Sequence, residues 1–267
     1  MSMVGRALWY IPTARTLPVV WDAIKRTDYV DKLIVKNFQK DTADEIATQF
    51  FLKREEYDYL IISTDDVVGA PHQVELLLED EEEHEYPIVT GWCNHIYPLA
   101  SLCIDPIDPE VIAQALEKPF PGLGADEYRL PLLRDIVAGD FGYPFFNVWF
   151  TGMPLTLIRR ETLKEVPFRE FRFLKDEYCV TPLAKERGRG VMQDLQWAID
   201  CDMKGIPIVT DARIFLLHVF GTRGALKIGE NPSVGLSAAK DHDVSKEEKD
   251  DIYALIGEIV DKAWSEI

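Results

Sequence analysis

Basic residues are scarce in this chain. Only 29 lysines and arginines accompany 46 aspartates and glutamates, which gives a net charge of −17. Such a surface repels nucleic-acid phosphates, and no basic stripe interleaved with aromatic residues offsets the repulsion. The composition therefore argues against a nucleic-acid partner. A phosphate-bearing small ligand would need local help from a bound cation or a few arginines.

Long apolar runs and paired cysteines are also missing. No segment approaches the roughly 20 uninterrupted apolar residues of a membrane span, and no small-residue cleavage site follows the short apolar patch after Arg6. We therefore expect a soluble intracellular protein located in the cytoplasm. The cysteines lack CxxC or zinc-site spacing, so they are expected to be reduced thiols of the core or surface. They are Cys93, Cys103, Cys179 and Cys201.

The first third of the chain alternates between strand and helix patterns. Short apolar runs that end in polar or turn residues predict strands, and apolar residues at helical spacing predict the helices between them. The β-α-β-α-β series predicts an α/β fold with a central, mostly parallel, doubly wound sheet flanked by helices. The segments are a strand at Ala7–Ile11, a helix from Leu17, a strand at Leu33–Val35, a helix with a capping box at Thr42 and Glu45, and a strand over Tyr57–Asp66.

The rest of the chain also alternates between strand and helix patterns, with longer irregular segments between them. The acidic stretch Glu79–Glu85 is most simply a solvated helix end and loop. Later patterns predict strands and helices, including a strongly amphipathic helix over Ser245–Trp264 that would pack on the domain or on a second subunit. These are strands at Pro87–Trp92, Phe146–Phe150, Leu155–Ile158, Ile206–Val209 and Arg213–Phe220, a helix at Pro109–Glu117, and a helix through Leu195 that stops at Gly205.

The stretch around Asp65 and Asp66 carries the clearest chemical signal. The apolar run Leu60–Ile62 ends in these two carboxylates, and ligands of open α/β sheets bind beyond the carboxyl ends of the strands. This pattern favours a site for a divalent metal and a nucleoside diphosphate, although an Asx turn after a strand is the simpler alternative. The turn Pro12–Thr16 follows the first strand, where it either contacts a ligand or caps the next helix.

The order of these features resembles that of the GT-A glycosyltransferases, particularly family 2. The resemblance covers roughly Ala7–Phe220 and includes a strand that ends in a DxD-like triplet, Thr64, Asp65 and Asp66. It implies a nucleotide-sugar-binding half at residues 1–98 and an acceptor half of the same domain at 99–240. A helical appendage at 241–267 would follow, with the possibility of a homo-oligomer formed through it.

The resemblance also implies roles for individual residues. Asp66 would bind Mn²⁺ or Mg²⁺ carried by the nucleotide-sugar diphosphate, and Asp65 would contact the ribose or the metal. His218 lies where members of the fold often have a histidine near the metal, with a satisfied sheet histidine as the alternative. Asp194 matches the base that deprotonates the acceptor hydroxyl, with a helix N-cap as the alternative. The other expected contacts are Pro12, Thr13, Arg15, Asn37 and Gly91 on the donor side, and Trp149, Gly152 and Gln193 on the acceptor side.

The predicted function is therefore metal-assisted, inverting transfer of a sugar from a nucleotide-diphosphate sugar to an unknown acceptor. Two rivals stay open. Thr64 replaces the first carboxylate of the triplet and Gln193 replaces the glutamate before the expected base, which leaves room for a catalytically inactive module that binds a nucleotide sugar or glycan. The segment Ala14–Pro18 is faintly similar to a nucleotidyltransferase signature, but it lacks the glycines that would cradle a triphosphate.

Overall fold

The computed structural model describes residues 6–13, 17–38, 40–95, 99–116, 129–168, 193–218 and 233–237. Its helices are α1 (Pro18–Arg26), α2 (Lys40–Lys53), α3 (Pro71–His84), α4 (Pro109–Leu116), α5 (Leu133–Ala138), α6 (Arg160–Glu165) and α7 (Gln193–Lys204). Its strands are β1 (Ala7–Thr13), β2 (Asp31–Lys36), β3 (Tyr59–Ser63), β4 (Val67–Val68), β5 (Ile88–Cys93), β6 (Leu102–Cys103), β7 (Phe145–Val148), β8 (Phe150–Thr151), β9 (Leu155–Arg159), β10 (Ile208–His218) and β11 (Ser233–Ser237).

The predicted β-α-β-α-β unit is confirmed. Strand β1 pairs in parallel with β2 on one side and with β3 on the other. Both faces of β1 are buried: Leu8 and Tyr10 pack with α2, α6 and α7, whereas Trp9 and Ile11 pack with α1 and α3. A strand covered on both faces is apolar at successive positions, which explains the continuous apolar run in the sequence.

Strand β9 interrupts the parallel order. It lies antiparallel between β3 and β5, and β10 then pairs in parallel with β5. The strand order is β11-β2-β1-β3-β9-β5-β10-β4, with β7 also paired to β10. The fold is therefore an α/β fold with a mixed, mostly parallel sheet and helices on both faces. Strands from the segments 1–98 and 99–240 contribute to the same sheet.

The acidic stretch is a solvated helix end at Glu79 and Glu82–Glu85, as predicted, but the expected loop is helical and two of the acids are buried. Helix α3 continues to His84, and both Asp80 and Glu81 are buried on it. Arg213 forms an ion pair with Asp80, and Arg159 forms one with Glu81. Buried carboxylates need such partners because desolvation of an unpaired charge is costly. The two pairs attach α3 to β9 and β10.

Three predicted boundaries also change. Helix α2 begins at Lys40, so Thr42 lies in its first turn and not at its N-cap. The expected strands at Ile206–Val209 and Arg213–Phe220 form the single strand β10, which contains an irregularity between Thr210 and Phe215. The expected strand at Phe146–Phe150 divides into β7 and β8, which pair with β10 and β6.

Helix α4 and the stop of α7 at Gly205 are confirmed. Gly205 has a φ of +67°, a left-handed conformation that glycine adopts without strain and that commonly ends helices. The predicted helix Ser245–Trp264, the appendage 241–267 and Arg15 lie outside the described residues. Within the part of the chain that the structure describes, no helix is long and apolar enough to cross a membrane.

Candidate functional site

Polar side chains gather where β1, β3, β5 and β10 end. Because these strands run in the same direction, their carboxyl ends share one edge of the sheet. The residues there are Thr13 of β1, Thr64 to Asp66 after β3, Asn94 and His95 after β5, and His218 at the end of β10. The sheet thus brings together residues that are more than 200 positions apart in the sequence.

Asp66 and His218 are in direct contact. Nε2 of His218 lies 3.2 Å from Oδ2 of Asp66, and both side chains are largely buried. The antiparallel pairing of Val67 with His218 sets this contact, since Asp66 precedes Val67 in the chain. The backbone N–H of His218 also donates to Oδ1 of Asn94, at 2.9 Å. The predicted pair of metal ligands is therefore held at the sheet edge from two neighbouring strand ends.

Asp65 has a different environment from Asp66. Its carboxylate is buried and accepts a hydrogen bond from the hydroxyl of Thr13, at 3.3 Å. Earlier in the same two strands, the indole N–H of Trp9 donates to the hydroxyl of Ser63, at 2.9 Å. These bonds tie the end of β1 to the end of β3. Of the two adjacent acids, Asp66 is the more exposed.

Two nearby side chains, those of Cys93 and His95, have shifted pKa values. Burial lowers the pKa of His95, and the neighbouring His218 lowers it further. Burial raises the pKa of the Cys93 thiol to about 11, against a smaller opposite effect of its hydrogen bond to Ser101. Cys93 is therefore a protonated thiol at neutral pH and not an activated nucleophile. His95 is predominantly neutral there and has a ring nitrogen available to accept a hydrogen bond or bind a cation.

The side chain of Thr64, next to Asp65 in the chain, has an unusual environment. Its hydroxyl oxygen is buried and has no hydrogen-bond partner among the described residues. A buried hydroxyl is normally satisfied because leaving it unpaired costs free energy. The position that carries the first acid in the family triplet therefore presents a polar atom without a protein partner at this edge.

Asp194 lies in a second polar cluster. It is in the first turn of α7 and not at the N-cap that the simpler interpretation predicted. Burial raises the pKa of its carboxyl group, Lys40 acts in the opposite direction, and Asp44 raises it again. Asp194 accepts a hydrogen bond from the N–H of Leu195, at 2.9 Å. The charged groups that act on it thus come from the start of α2.

Some of the other residues predicted to contact the donor lie at the same edge of the sheet. Asn37 is buried just beyond β2, has a φ of +64°, and its N–H donates to the carbonyl of Thr13 at 2.8 Å. Pro12 lies within β1. Gly91 lies inside β5 and not at its tip. A Cβ there would lie 2.5 Å from Cγ2 of Ile214 and 2.8 Å from its carbonyl oxygen, so glycine is required by the packing of β10.

The residues predicted to contact the acceptor do not lie together at this edge of the sheet. Trp149 follows β7, whose last residue pairs with Ile208 at the start of β10, whereas His218 is at the other end of that strand. Trp149 there lines a cavity of about 340 Å³ with Cys201 and Ile208. Gly152 follows β8, and Gln193 is buried as the first residue of α7.

The sequence reasoning missed Asn94, which contacts His218, and the pair Lys40 and Asp44, whose charges act on Asp194. Asn94 follows a buried strand, which is the signal that identified Asp65, and it could have been found in the same way. Lys40 and Asp44 form an i,i+4 pair typical of a solvated helix face. Among the described residues, no group of three or more histidine, cysteine or acidic side chains is arranged to hold a metal ion. A cation here would have two protein ligands.

The fold and the site together define an α/β protein with a mixed, mostly parallel sheet and a polar carboxyl edge. The sequence matches no protein-family model and no curated protein. Similar solved structures include A197 from STIV, with 14% identity, a TM-score of 0.45, and coverage of 90% of this chain and 97% of that chain. A CMP:2-keto-3-deoxy-manno-octonic acid synthetase complexed with CTP has 12% identity, a TM-score of 0.40, and coverage of 79% and 90%. S. aureus TarS 1-349 in complex with UDP-GlcNAc has 10% identity, a TM-score of 0.40, and coverage of 96% and 66%. At these values the function has to be argued from the site itself.

Proposed function

We propose that this protein transfers a glycosyl group from a nucleoside-diphosphate sugar to an acceptor hydroxyl, with a divalent cation bound by Asp66 and His218. The observation that carries the proposal is the 3.2 Å approach of Oδ2 of Asp66 to Nε2 of His218 at the carboxyl edge of the sheet. This edge is the usual ligand site of open α/β sheets.

Asp66 and His218 would hold the cation. Their two facing atoms lie 3.2 Å apart and are hydrogen-bonded in this structure, and both are of types that bind divalent cations. A carboxylate and an imidazole suit Mn²⁺, and Mg²⁺ is also compatible when phosphate oxygens and waters complete the coordination. When bound, the cation supplies positive charge against the negative charge that develops on the leaving diphosphate. A chain with a net charge of −17 has few other ways to do so.

The protein's own residues orient the donor and accept a proton. The bond between Thr13 and Asp65 keeps the β1 and β3 ends together beside Asp66. The hydroxyl of Thr64, buried without a partner among the described residues, lies next to them in the chain. In the proposed reaction, the acceptor oxygen bonds to the anomeric carbon while that carbon's bond to the diphosphate oxygen breaks. This single direct displacement inverts the anomeric carbon, and the acceptor proton passes to the carboxylate of Asp194.

Calorimetry of nucleoside-diphosphate binding tests the proposal. We expect UDP or GDP to bind in the presence of Mn²⁺ and to bind at least about tenfold more weakly to the variant Asp66→Asn, because a metal ligand is lost. Asp58→Asn is the matched control, since Asp58 is an exposed aspartate immediately before the amino end of the same strand. If no nucleoside diphosphate binds in a metal-dependent way, the proposal is wrong.

The released product then separates the alternatives within the same assay. A glycosyltransferase releases a nucleoside diphosphate from a nucleotide sugar, whereas a nucleotidyltransferase releases pyrophosphate from a nucleoside triphosphate. Metal-dependent binding with neither product across a panel of nucleotide sugars and acceptors would indicate a binding module. Release of the diphosphate by wild type and its loss in Asp66→Asn would support the proposed transfer.

A further inference from the structure

The last residue of β10 is held by a side chain from the end of the neighbouring strand β5. The two strands pair in parallel as far as Leu216 and Cys93. Beyond that pair, the backbone N–H of His218 donates to Oδ1 of Asn94 at 2.9 Å, so a carboxamide oxygen takes the place of a backbone carbonyl. Asn94 thus extends the attachment of β10 to β5 by two residues, as far as His218.

The backbone of Asn94 is itself fixed by the segment that returns after β5. Asn94 forms an antiparallel bridge with Ala100. The N–H of the next residue, His95, donates to the carbonyl of Leu99 at 2.9 Å. Because these contacts hold the chain at and directly after Asn94, its carboxamide has a fixed base from which to hold β10.

The course of β10 explains why a side chain is needed here. The register of β10 against β5 shifts between Thr210 and Phe215, and within that stretch the indole N–H of Trp92 donates to the carbonyl of Ala212 at 3.0 Å. Side chains of β5 thus support β10 on both sides of Phe215, where the regular ladder is interrupted. On its other side, β10 pairs here with β4, which is two residues long. The bond from Asn94 is therefore a second anchor for His218.

We propose that Asn94 is a positioning residue of the cation site: by fixing the backbone of His218, it directs the imidazole toward the carboxylate of Asp66. Nε2 of His218 lies 3.2 Å from Oδ2 of Asp66, and a shift of the backbone at His218 would move the ring away from that oxygen. The inference rests on the proposed function, in which these two side chains hold the cation. Groups that orient metal ligands typically contribute about tenfold or more to metal affinity.

Substitutions of Asn94 test the role through the affinity for Mn²⁺. Asn94→Ala removes the acceptor, and Asn94→Leu removes it while keeping the shape of the side chain, which provides a second test if the alanine variant does not fold. We expect the Kd of Mn²⁺ to rise about tenfold in both, and Asn94→Asp, which keeps an acceptor oxygen, to show no such loss. The measurement is the EPR signal of free Mn²⁺ in the presence of UDP or GDP, whichever binds wild type more tightly.

Asn147→Ala is the matched control. It makes the same chemical change at an exposed position of β7, where Asn147 pairs with Val209 near the other end of β10. We expect this variant to bind Mn²⁺ as wild type does.

The nitrogen modulation in the electron spin echo of bound Mn²⁺ separates positioning from general destabilisation. It reports a histidine ligand directly, and its absence in His218→Ala assigns it to that ring. We expect the modulation in wild type, Asn94→Asp and Asn147→Ala, and its loss from the Mn²⁺ that Asn94→Ala and Asn94→Leu still bind. A destabilised fold would bind less Mn²⁺ without changing its ligands. Unchanged affinity, or weaker affinity with the modulation intact, overturns the inference.

A measurement without metal distinguishes this result from a failure of the proposed function. In the metal-free full chain, the backbone amide of His218 should exchange with solvent about fivefold faster in Asn94→Ala than in wild type, the factor that one net hydrogen bond contributes. Faster exchange combined with no Mn²⁺ binding by wild type would overturn the proposed function, and with it the role of Asn94 at a cation site. Mn²⁺ binding by wild type with no change in the variants of Asn94 would overturn this inference alone.

Discussion

The hydroxyl of Thr64 is a single polar atom whose burial is costly for folding. It is buried at the end of β3 with no hydrogen-bond partner among the described residues. Leaving such a group unpaired costs about 1–3 kcal/mol. Under the proposed function, a ligand oxygen that reaches this hydroxyl on binding would satisfy it and recover that free energy.

We therefore predict that Thr64→Val separates the two effects. The free energy of unfolding should stay the same or rise by about 1 kcal/mol, because the unpaired hydroxyl is removed, while the affinity for nucleoside diphosphate falls about fivefold. Urea unfolding and calorimetry measure the two quantities. Thr162→Val is the control, since that hydroxyl is buried but donates to the carbonyl of Pro87 at 3.2 Å. Equal destabilisation in both variants would contradict the interpretation.

At the scale of elements, Arg160 joins two helices. It is the first residue of α6, and its guanidinium donates to the carbonyls of Tyr57 at 2.7 Å, Phe51 at 2.9 Å and Leu52 at 3.3 Å, and to that of Arg54. It also lies over the ring of Phe51, 4.4 Å from the ring centroid. The last carbonyls of a helix lack partners within it, and a cation there also complements the helix dipole. Arg160 thereby caps α2 from a different part of the chain.

Removal of this cap should destabilise the whole fold. We expect Arg160→Met to lower the free energy of unfolding by about 2–4 kcal/mol, because several partly buried carbonyls lose a charged donor. Arg160→Lys should recover only part of the loss, since one ammonium cannot reproduce the planar fork. Urea unfolding checks both. Arg134→Met is the control, because the Arg134 side chain is 83% exposed. A loss below about 0.5 kcal/mol in Arg160→Met, the usual range of surface changes, would contradict the capping role.

At the scale of the whole molecule, some of the many acidic side chains are buried in the interior. Asp80 and Asp211 are both buried and both accept hydrogen bonds from Arg213. One cation thus serves two carboxyl groups. Burial, followed by the interaction with Asp211, raises the pKa of Asp80 from its ordinary value of 3.8 to about 7. The folded protein therefore holds a proton that the unfolded chain releases at lower pH.

The sign of the resulting pH dependence follows from linkage. Where the folded state binds more protons than the unfolded chain, stability falls as pH rises, here from about 4 to about 7. We predict that Asp80→Asn gains stability relative to wild type across that range, as measured by urea unfolding at several pH values. Glu79→Gln is the control: it makes the same change in net charge at an exposed position of α3. Parallel curves for the two variants would show that net charge alone is responsible.

Much of the fold and part of the site followed from local patterns. Two-sided burial produces continuous apolar strands such as β1 and β3, and one-sided burial produces the helical stripes of α1 and α2, so these elements and their parallel order were predictable. The carboxylates after β3 were identified because they interrupt an apolar run at a strand end. His218 was placed near them by resemblance, and the structure brings it to Asp66.

By itself, the sequence determined the strands and helices of the first β-α-β-α-β unit and which strand end carries the acids, because hydrophobic periodicity and chain breaks are local properties. Only the tertiary structure decided that β9 lies between β3 and β5, that Trp149 lies at the opposite end of β10 from His218, and that Arg213 pairs with the buried Asp80. The reason is physical. A charged residue has the same sequence pattern whether it is solvated or paired, and its partner is chosen by long-range packing of the sheet and helices.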